Sequence, residues 1–158
     1  SKEALELKKV PKNIIIIGCR NLVELFLAWT YGFKLKNITG IDLFSFNPKI
    51  KIMVMEDISY SDETFDCVTM ANVYGYNADP EQCFKEVSRV LKPSGLFSFN
   101  SAYVPSAETQ SSKMLTSDLH KIFNRNGLAV VYHYETKKGE NTSHLWCLQK
   151  TSMDSTKV

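Results

Sequence analysis

Two hydrophobic periods alternate along this chain. Residues 13–18 carry four consecutive isoleucines, Ile14 to Ile17, with no polar position between them. An unbroken β-branched run of that length suits a parallel strand covered on both faces. Leu22, Leu25, Phe26 and Trp29 then recur at helical spacing, with Asn21 placed to cap the helix and Gly32 near its end. Strand-length segments follow at residues 37–43, 50–55 and 65–71. Asp79-Pro80-Glu81 is a helix start: Asp as N-cap, Pro at the first helical position and Glu in the first turn. Phe84, Val87, Val90 and Leu91 share one face of that helix, and Ser94-Gly95 turns the chain into a fifth strand at 96–100. Thr116 or Ser117 is placed to cap a helix through Asn124, with Leu119, Ile122 and Phe123 inward and Gly127 at its end. Segments 128–135 and 144–149 flank Lys137-Lys138-Gly139-Glu140-Asn141, a hairpin signal. Residues 3–10 read as a short amphipathic helix ahead of Pro11.

The order β-α-β-β-β-α-β-α-β-β implies an α/β fold: a mostly parallel seven-stranded sheet with an antiparallel C-terminal edge strand and helices on both faces. The expected organisation is one domain over residues 1–150 and a polar tail over 151–158. In such sheets ligands bind beyond the carboxyl ends of the strands. That rule gathers residues 18–21, 42–44, 55–58 and 71–76 around one crevice.

Composition narrows the classes. The 158 residues are 44% hydrophobic and 23% charged with a net charge of +2, as in an ordinary soluble domain. Basic and acidic residues are interspersed, which argues against a nucleic-acid or membrane-surface footprint. Cys19, Cys67, Cys83 and Cys147 form no CxxC motif, so the reading is four reduced, mostly buried thiols in a cytoplasmic protein. No apolar run is long enough to span a bilayer, and Ser1-Lys2-Glu3 opens a polar segment without a signal peptide. His120, His133 and His144 lie far apart in sequence and read as structural or exposed, so no metal site is assigned. Ser98, Ser101 and Ser106 lack a G-x-S-x-G context, which leaves a hydrolase unsupported.

The most specific stretch is Asp62-Glu63-Thr64-Phe65-Asp66-Cys67-Val68, followed by Asp79-Pro80 and by Phe84-Lys85-Glu86-Val87-Ser88-Arg89-Val90-Leu91-Lys92-Pro93-Ser94-Gly95-Leu96. This succession, with Gly40-Ile41-Asp42-Leu43 before it, resembles the class I S-adenosylmethionine-dependent methyltransferases of the type-11-like group over residues 12–150. The first loop departs from that pattern. Ile16 stands where the family has an acid, and Arg20 and Leu22 replace later glycines. Gly18-Cys19-Arg20-Asn21 with Glu24-Leu25 is similar to a branch of bacterial methyltransferase-like proteins carrying G-C-R-N. Val54 occupies a position where the family often has an acid near the adenine.

The resemblance implies S-adenosylmethionine as cofactor, with Gly18, Cys19, Arg20, Asp42, Leu43, Glu56, Asp57, Ile58 and Asn72 around it. Gly18 allows close backbone approach, and Arg20 either meets the methionine carboxylate or fills the cofactor's space. Asp42 accepts from the ribose hydroxyls or caps a turn. Glu56 and Asp57 meet the adenine amine or remain solvated, and Ile58 packs on the ring. Asn72 and Tyr76 are the candidates for orienting the nucleophile, whereas Tyr74 reads as packing under a lid. The acceptor implied is a small molecule such as a sugar or another secondary metabolite. The alternatives are a catalytically inactive cofactor- or partner-binding module, motivated by Ile16, Arg20 and Val54, and a nicotinamide-dependent oxidoreductase, disfavoured by the absence of G-x-G-x-x-G.

Overall fold

A computed structural model describes residues 11–108 and 111–151. The helix expected at 3–10 and most of the tail lie outside the described residues. The strands are β1 (Ile14–Ile17), β2 (Ile38–Asp42), β3 (Ile50–Ile52), β4 (Phe65–Met70), β5 (Leu91–Tyr103), β6 (Leu128–Lys138) and β7 (Asn141–Lys150), and the helices are α1 (Leu22–Thr30), α2 (Pro80–Val90) and α3 (Thr116–Arg125). They form one seven-stranded sheet in the order β3-β2-β1-β4-β5-β7-β6. The first five strands are mutually parallel. The antiparallel strand is the C-terminal β7, which inserts between β5 and β6 and leaves β6 at the margin.

The isoleucine run explains the two layers. Successive side chains of a strand point to opposite faces. Ile15 and Ile17 join the larger core with Phe84, Val87 and Val90 of α2 and Leu119, Ile122 and Phe123 of α3. Ile14 and Ile16 join a smaller core with Leu25 and Ala28 of α1, Cys19 and Ile50. Phe84 centres the larger core, with the rings of Tyr74, Phe97, Phe99 and Phe123 at 5.2–5.8 Å. Of the apolar stripe on α1 only Leu25 is buried, and Ala28 shares its face; Leu22, Phe26 and Trp29 are exposed. Leu25 and Ala28 are three residues apart and address the sheet together, while Phe26 and Trp29 lie a further step around the helix and pack on each other at 5.4 Å.

The caps follow the sequence at two helices and depart from it at the third. Asn21 Oδ1 accepts from the Val23 N–H at 2.8 Å, and Asp79 Oδ1 from the Gln82 N–H at 3.1 Å. At α3 neither Thr116 nor Ser117 caps: Leu115 holds the N-cap position without a side-chain hydrogen bond, and helical geometry begins at Thr116 itself. The third strand is also shorter than expected. It ends at Ile52: the Met53 N–H makes the last ladder bond to the Asp42 carbonyl at 3.0 Å, where β2 itself stops, and Val54 then bridges Asp57 within the loop.

That loop is anchored from α2. The Arg89 guanidinium makes five hydrogen bonds: to both carboxylate oxygens of Glu86, to the Ile58 and Tyr60 carbonyls, and to Asp62 Oδ1, all at 2.7–2.8 Å. Glu86 Oε2 also accepts from the Ile58 N–H at 2.9 Å. Hydrogen bonding by Arg89 holds the Glu86 carboxyl below its usual range, with burial working against it. At the start of β4, Asp66 accepts from the Lys12 and Asn13 N–H groups at 3.1 and 2.8 Å and from Lys92 Nζ at 3.0 Å. Partial burial acts to raise the Asp66 pKa, but these donors together hold it below the usual carboxylate value.

Arg89→Ala should lower stability by about 3 kcal/mol, since it strands the partly buried Glu86 carboxylate. Arg89→Lys should recover little, because an ammonium cannot reproduce the planar fork; urea unfolding of both variants measures this. For Asp66 the folded pKa lies below the unfolded one, so its stabilisation is complete above about pH 4 and is lost as pH falls through the folded value. Unfolding titrations at acid pH should show that part of the pH dependence missing in Asp66→Asn.

Candidate functional site

β1 lies between β2 and β4, so the chain leaves it toward one side and later returns on the other. A crevice opens at such a switch point, beyond the carboxyl ends of the strands. Ile17, Asp42 and Met70 end the three strands there. A separate groove of about 960 Å³ lies at the opposite end of the sheet, lined by residues including Lys12, Asp66, Lys92 and Gln149. It is therefore remote from the strand ends that carry the candidate residues.

The first loop divides its work among four residues. Gly18 has φ +75°, and a Cβ there would run into the Val73 methyl groups, so glycine is required on both counts. The Gly18 and Cys19 N–H groups both donate to the Ile41 carbonyl, at 2.8 and 3.0 Å. Cys19 is fully buried against α1, and its thiol donates to the Asn21 carbonyl at 3.2 Å. Burial, then the nearby Glu24 and Asp42 carboxylates, push the Cys19 pKa up to about 11, so the thiol stays protonated and inert. Gly40 gives Cys19 its space: a Cβ on Gly40 would lie 3.0 Å from Cys19 Sγ. Arg20 is exposed and makes no hydrogen bond or ion pair among the described residues. It does not plug the crevice; the side chain lying against Gly18 is that of Val73.

Asp42 is half-buried at the end of β2. Its Oδ1 accepts from the Phe44 N–H at 3.0 Å and forms a turn, while Oδ2 has no protein donor among the described residues. A carboxylate can accept at both oxygens, so the turn and a ligand contact are compatible. Leu43 beside it is exposed.

The residues after β3 separate into two groups. Asp57 and Val54 are exposed at the loop. Glu56 is engaged away from it: its Oε1 accepts from the Ala78 N–H at 3.0 Å, and its carbonyl accepts from Gln82 Nε2 at 3.1 Å, tying the loop to the start of α2. Ile58 is 1% exposed within the main core, so it offers no face to an adenine ring. The cause is the Arg89 clamp, which draws the Ile58 backbone inward from both its N–H side and its carbonyl side.

At the end of β4, Asn72 takes φ +57°, a region that asparagine tolerates better than most residues. Asn100 at the level of the same strand end holds it there. Asn100 Oδ1 accepts the Asn72 N–H at 2.6 Å, and Asn100 Nδ2 donates to Asn72 Oδ1 at 2.5 Å. Asn100 is not singled out by sequence: it lies within β5, next to Phe99, which pairs with Met70 at the end of β4. Tyr74 is buried between Phe84 and Phe99, and burial raises its phenol pKa, as packing requires. Tyr76 is 71% exposed, with a phenol open to solvent.

The sequence signature of the methyltransferase domain family, type 11, matches residues 17–99, from the end of β1 through most of β5. The chain belongs to this family. Methyltransferase domains of this family use S-adenosylmethionine, and the residues at the crevice suit it: an exposed cation, a carboxylate with an available oxygen, and a glycine turn between them. Among solved structures, a methyltransferase of the S-adenosylmethionine-dependent class from Methanosarcina mazei is 18% identical, with a TM-score of 0.69, over 95% of this chain and 97% of that one. Geranyl diphosphate C-methyltransferase from Streptomyces coelicolor A3(2), solved with Mg2+, geranyl diphosphate and S-adenosyl-L-homocysteine, is 11% identical with a TM-score of 0.72, over 89% of this chain and 74% of that one. The 4+2 cyclase SpnF superposes with a TM-score of 0.70 at 12% identity, over 95% of this chain and 79% of that one. These likenesses establish a shared fold. No curated protein sequence matches the chain.

Gly18→Ala in this methyltransferase domain should cost about 1–3 kcal/mol through the left-handed backbone and the Val73 contact. Gly18→Ala combined with Val73→Ala should recover the steric part and leave the backbone part. Thermal or urea unfolding of the two variants separates them.

Proposed function

We propose that the chain transfers the methyl group of S-adenosylmethionine to a small-molecule acceptor, such as a sugar or another secondary metabolite. The observation that carries this reading is Asp42, a carboxylate at the end of β2 with one oxygen fixed by a turn and the other available. When bound, the cofactor supplies an electrophilic methyl group on a sulfonium sulfur. The chain's own residues then bind and orient. Asp42 accepts from the ribose hydroxyls through Oδ2, with the Phe44 N–H holding the carboxylate in place. Arg20 pairs with the cofactor's carboxylate. Asp57 accepts from the adenine amine, and the exposed Leu43 and Val54 supply apolar contact to the ring.

Methyl transfer is an in-line displacement, so positioning contributes most of what the protein does. Asn72, fixed by Asn100, and the exposed Tyr76 stand on the acceptor side and orient the nucleophile. The connection from β5 to α3 spans residues 104–115, so this segment supplies no large cap, which suits a compact or flexible acceptor. Four free cysteines suit a reducing compartment and support a cytoplasmic location. No helix among the described residues is long and apolar enough to cross a membrane.

Calorimetric titration with S-adenosylhomocysteine tests the reading. The wild-type chain should bind, and Asp42→Ala should weaken binding by roughly 1–3 kcal/mol, or about fivefold to 150-fold. An absence of binding by the wild type would overturn the cofactor reading. Unchanged affinity in Asp42→Ala would remove the ribose assignment.

A further inference from the structure

The β6–β7 hairpin brings together three side chains that are scattered in sequence. His133 and Glu135 lie two residues apart on β6 and so share a face. His144 on β7 pairs directly with Glu135, and Trp146 with His133. His133 Nε2 lies 3.0 Å from His144 Nδ1, and His144 Nδ1 lies 3.6 Å from Glu135 Oε2. One donor atom from each of the three falls within 4.8 Å of the others.

These spacings are close to those of a coordination sphere. Metal–nitrogen bonds of about 2.0–2.1 Å separate neighbouring ligand atoms by roughly 3.0–3.4 Å, depending on the bond angle. The 3.0 Å separation lies at the lower end of that interval and the 3.6 Å separation just above it, so a small side-chain adjustment would bring the three atoms onto one ion. The rings are also oriented by their surroundings. His133 stacks on the Trp146 indole at 3.7 Å with an interplanar angle of 8°, and Trp146 is fixed by its own hydrogen bond from Nε1 to Ser101 Oγ at 3.1 Å. His144 is buried beside them, whereas His133 and Glu135 are exposed, so an ion could enter from solvent and keep an open position facing it. One protein cation competes for the carboxylate: Lys137 Nζ lies 3.3 Å from Glu135 Oε1, the other oxygen.

We infer that His133, Glu135 and His144 form a binding site for a divalent transition-metal ion of the zinc type, clipping the marginal strand β6 to β7. Two imidazoles and one carboxylate are ligands that zinc, cobalt and nickel accept. The ion would connect the otherwise exposed outer half of β6 to the buried Trp146 region. The site is separate from the crevice at β1, β2 and β4 and does not depend on the methyl-transfer reading. The competing arrangement is a metal-free hydrogen bond between the two imidazoles.

Titration of the untagged full chain with Co2+, followed by visible absorption and then displaced by Zn2+, distinguishes the two. One ion per chain should bind at micromolar concentration or below, without thiolate charge-transfer absorption, and Zn2+ should raise the melting temperature by several degrees. His133→Gln and Glu135→Gln should each weaken binding at least tenfold, while Glu140→Gln, an exposed acid in the hairpin turn, should leave it unchanged. The first two side chains are exposed, and the metal-free melting temperatures of their variants serve as the folding control. Millimolar or absent binding by the wild type would overturn the site. Equal affinity in His133→Gln, or thiolate absorption showing cysteine ligation, would overturn it as well.

Discussion

The structure around the crevice depends on one guanidinium. Arg89 projects from the last turn of α2 and satisfies the carbonyls of Ile58 and Tyr60, the Asp62 side chain and both oxygens of Glu86. A loop between two parallel strands carries backbone groups that its own residues cannot pair. Here the helix supplies the partners, and Glu86 closes the circuit by accepting the Ile58 N–H. The cost of half-burying two opposite charges is offset only because every polar edge of the pair is used. The stretch from Glu86 to Arg89, the most recognisable in the sequence, thus serves architecture. It sets where the chain leaves β3 and where it enters β4, and so fixes the far wall of the site without touching a ligand.

The same clamp explains what could be read in the sequence and what could not. Strand positions and caps are local: the Ile14–Ile17 run, the Asn21 and Asp79 caps and the Phe84, Val87 and Val90 face of α2 need only neighbouring residues and stand where periodicity places them, whereas Leu91, expected on the same helical face, opens β5. Asp42 and Gly18 are legible for the same reason, since each marks where a strand stops. The loop after β3 is set by partners some twenty to thirty residues away. Glu56 is held by Ala78 and Ile58 by Glu86 and Arg89, so a local reading gives both to solvent or ligand when the structure gives both to the protein. Val73 against Gly18 and Asn100 against Asn72 are likewise contacts between segments, invisible to spacing. The histidines are an intermediate case. Taken as separations, 133 and 144 are distant; taken through a hairpin that turns at Gly139-Glu140, Glu135 falls opposite His144 and His133 two pairs further on, on the same face.

The altered first loop can then be interpreted physically. A glycine-rich turn before a helix ordinarily meets an anionic group with bare backbone N–H groups. In this chain the Gly18 and Cys19 amides are committed to the Ile41 carbonyl, and the Cys19 side chain is committed to the core beneath α1. Asn21 caps the helix through the Val23 N–H, which removes another donor from the turn. The Arg20, Asn21 and Leu22 amides make no hydrogen bond among the described residues and remain as the loop's backbone donors, and its one cation is the exposed Arg20. A side chain at that position can do at longer reach what amides do at contact distance, with the strength of a charge-assisted bond and the added entropy cost of ordering a long side chain. The presence of Arg20 and Leu22 in place of later glycines adds side chains to the loop without engaging these backbone donors. It leaves Gly18 as the one position in the loop where the backbone itself, wedged against Val73, tolerates no substitute.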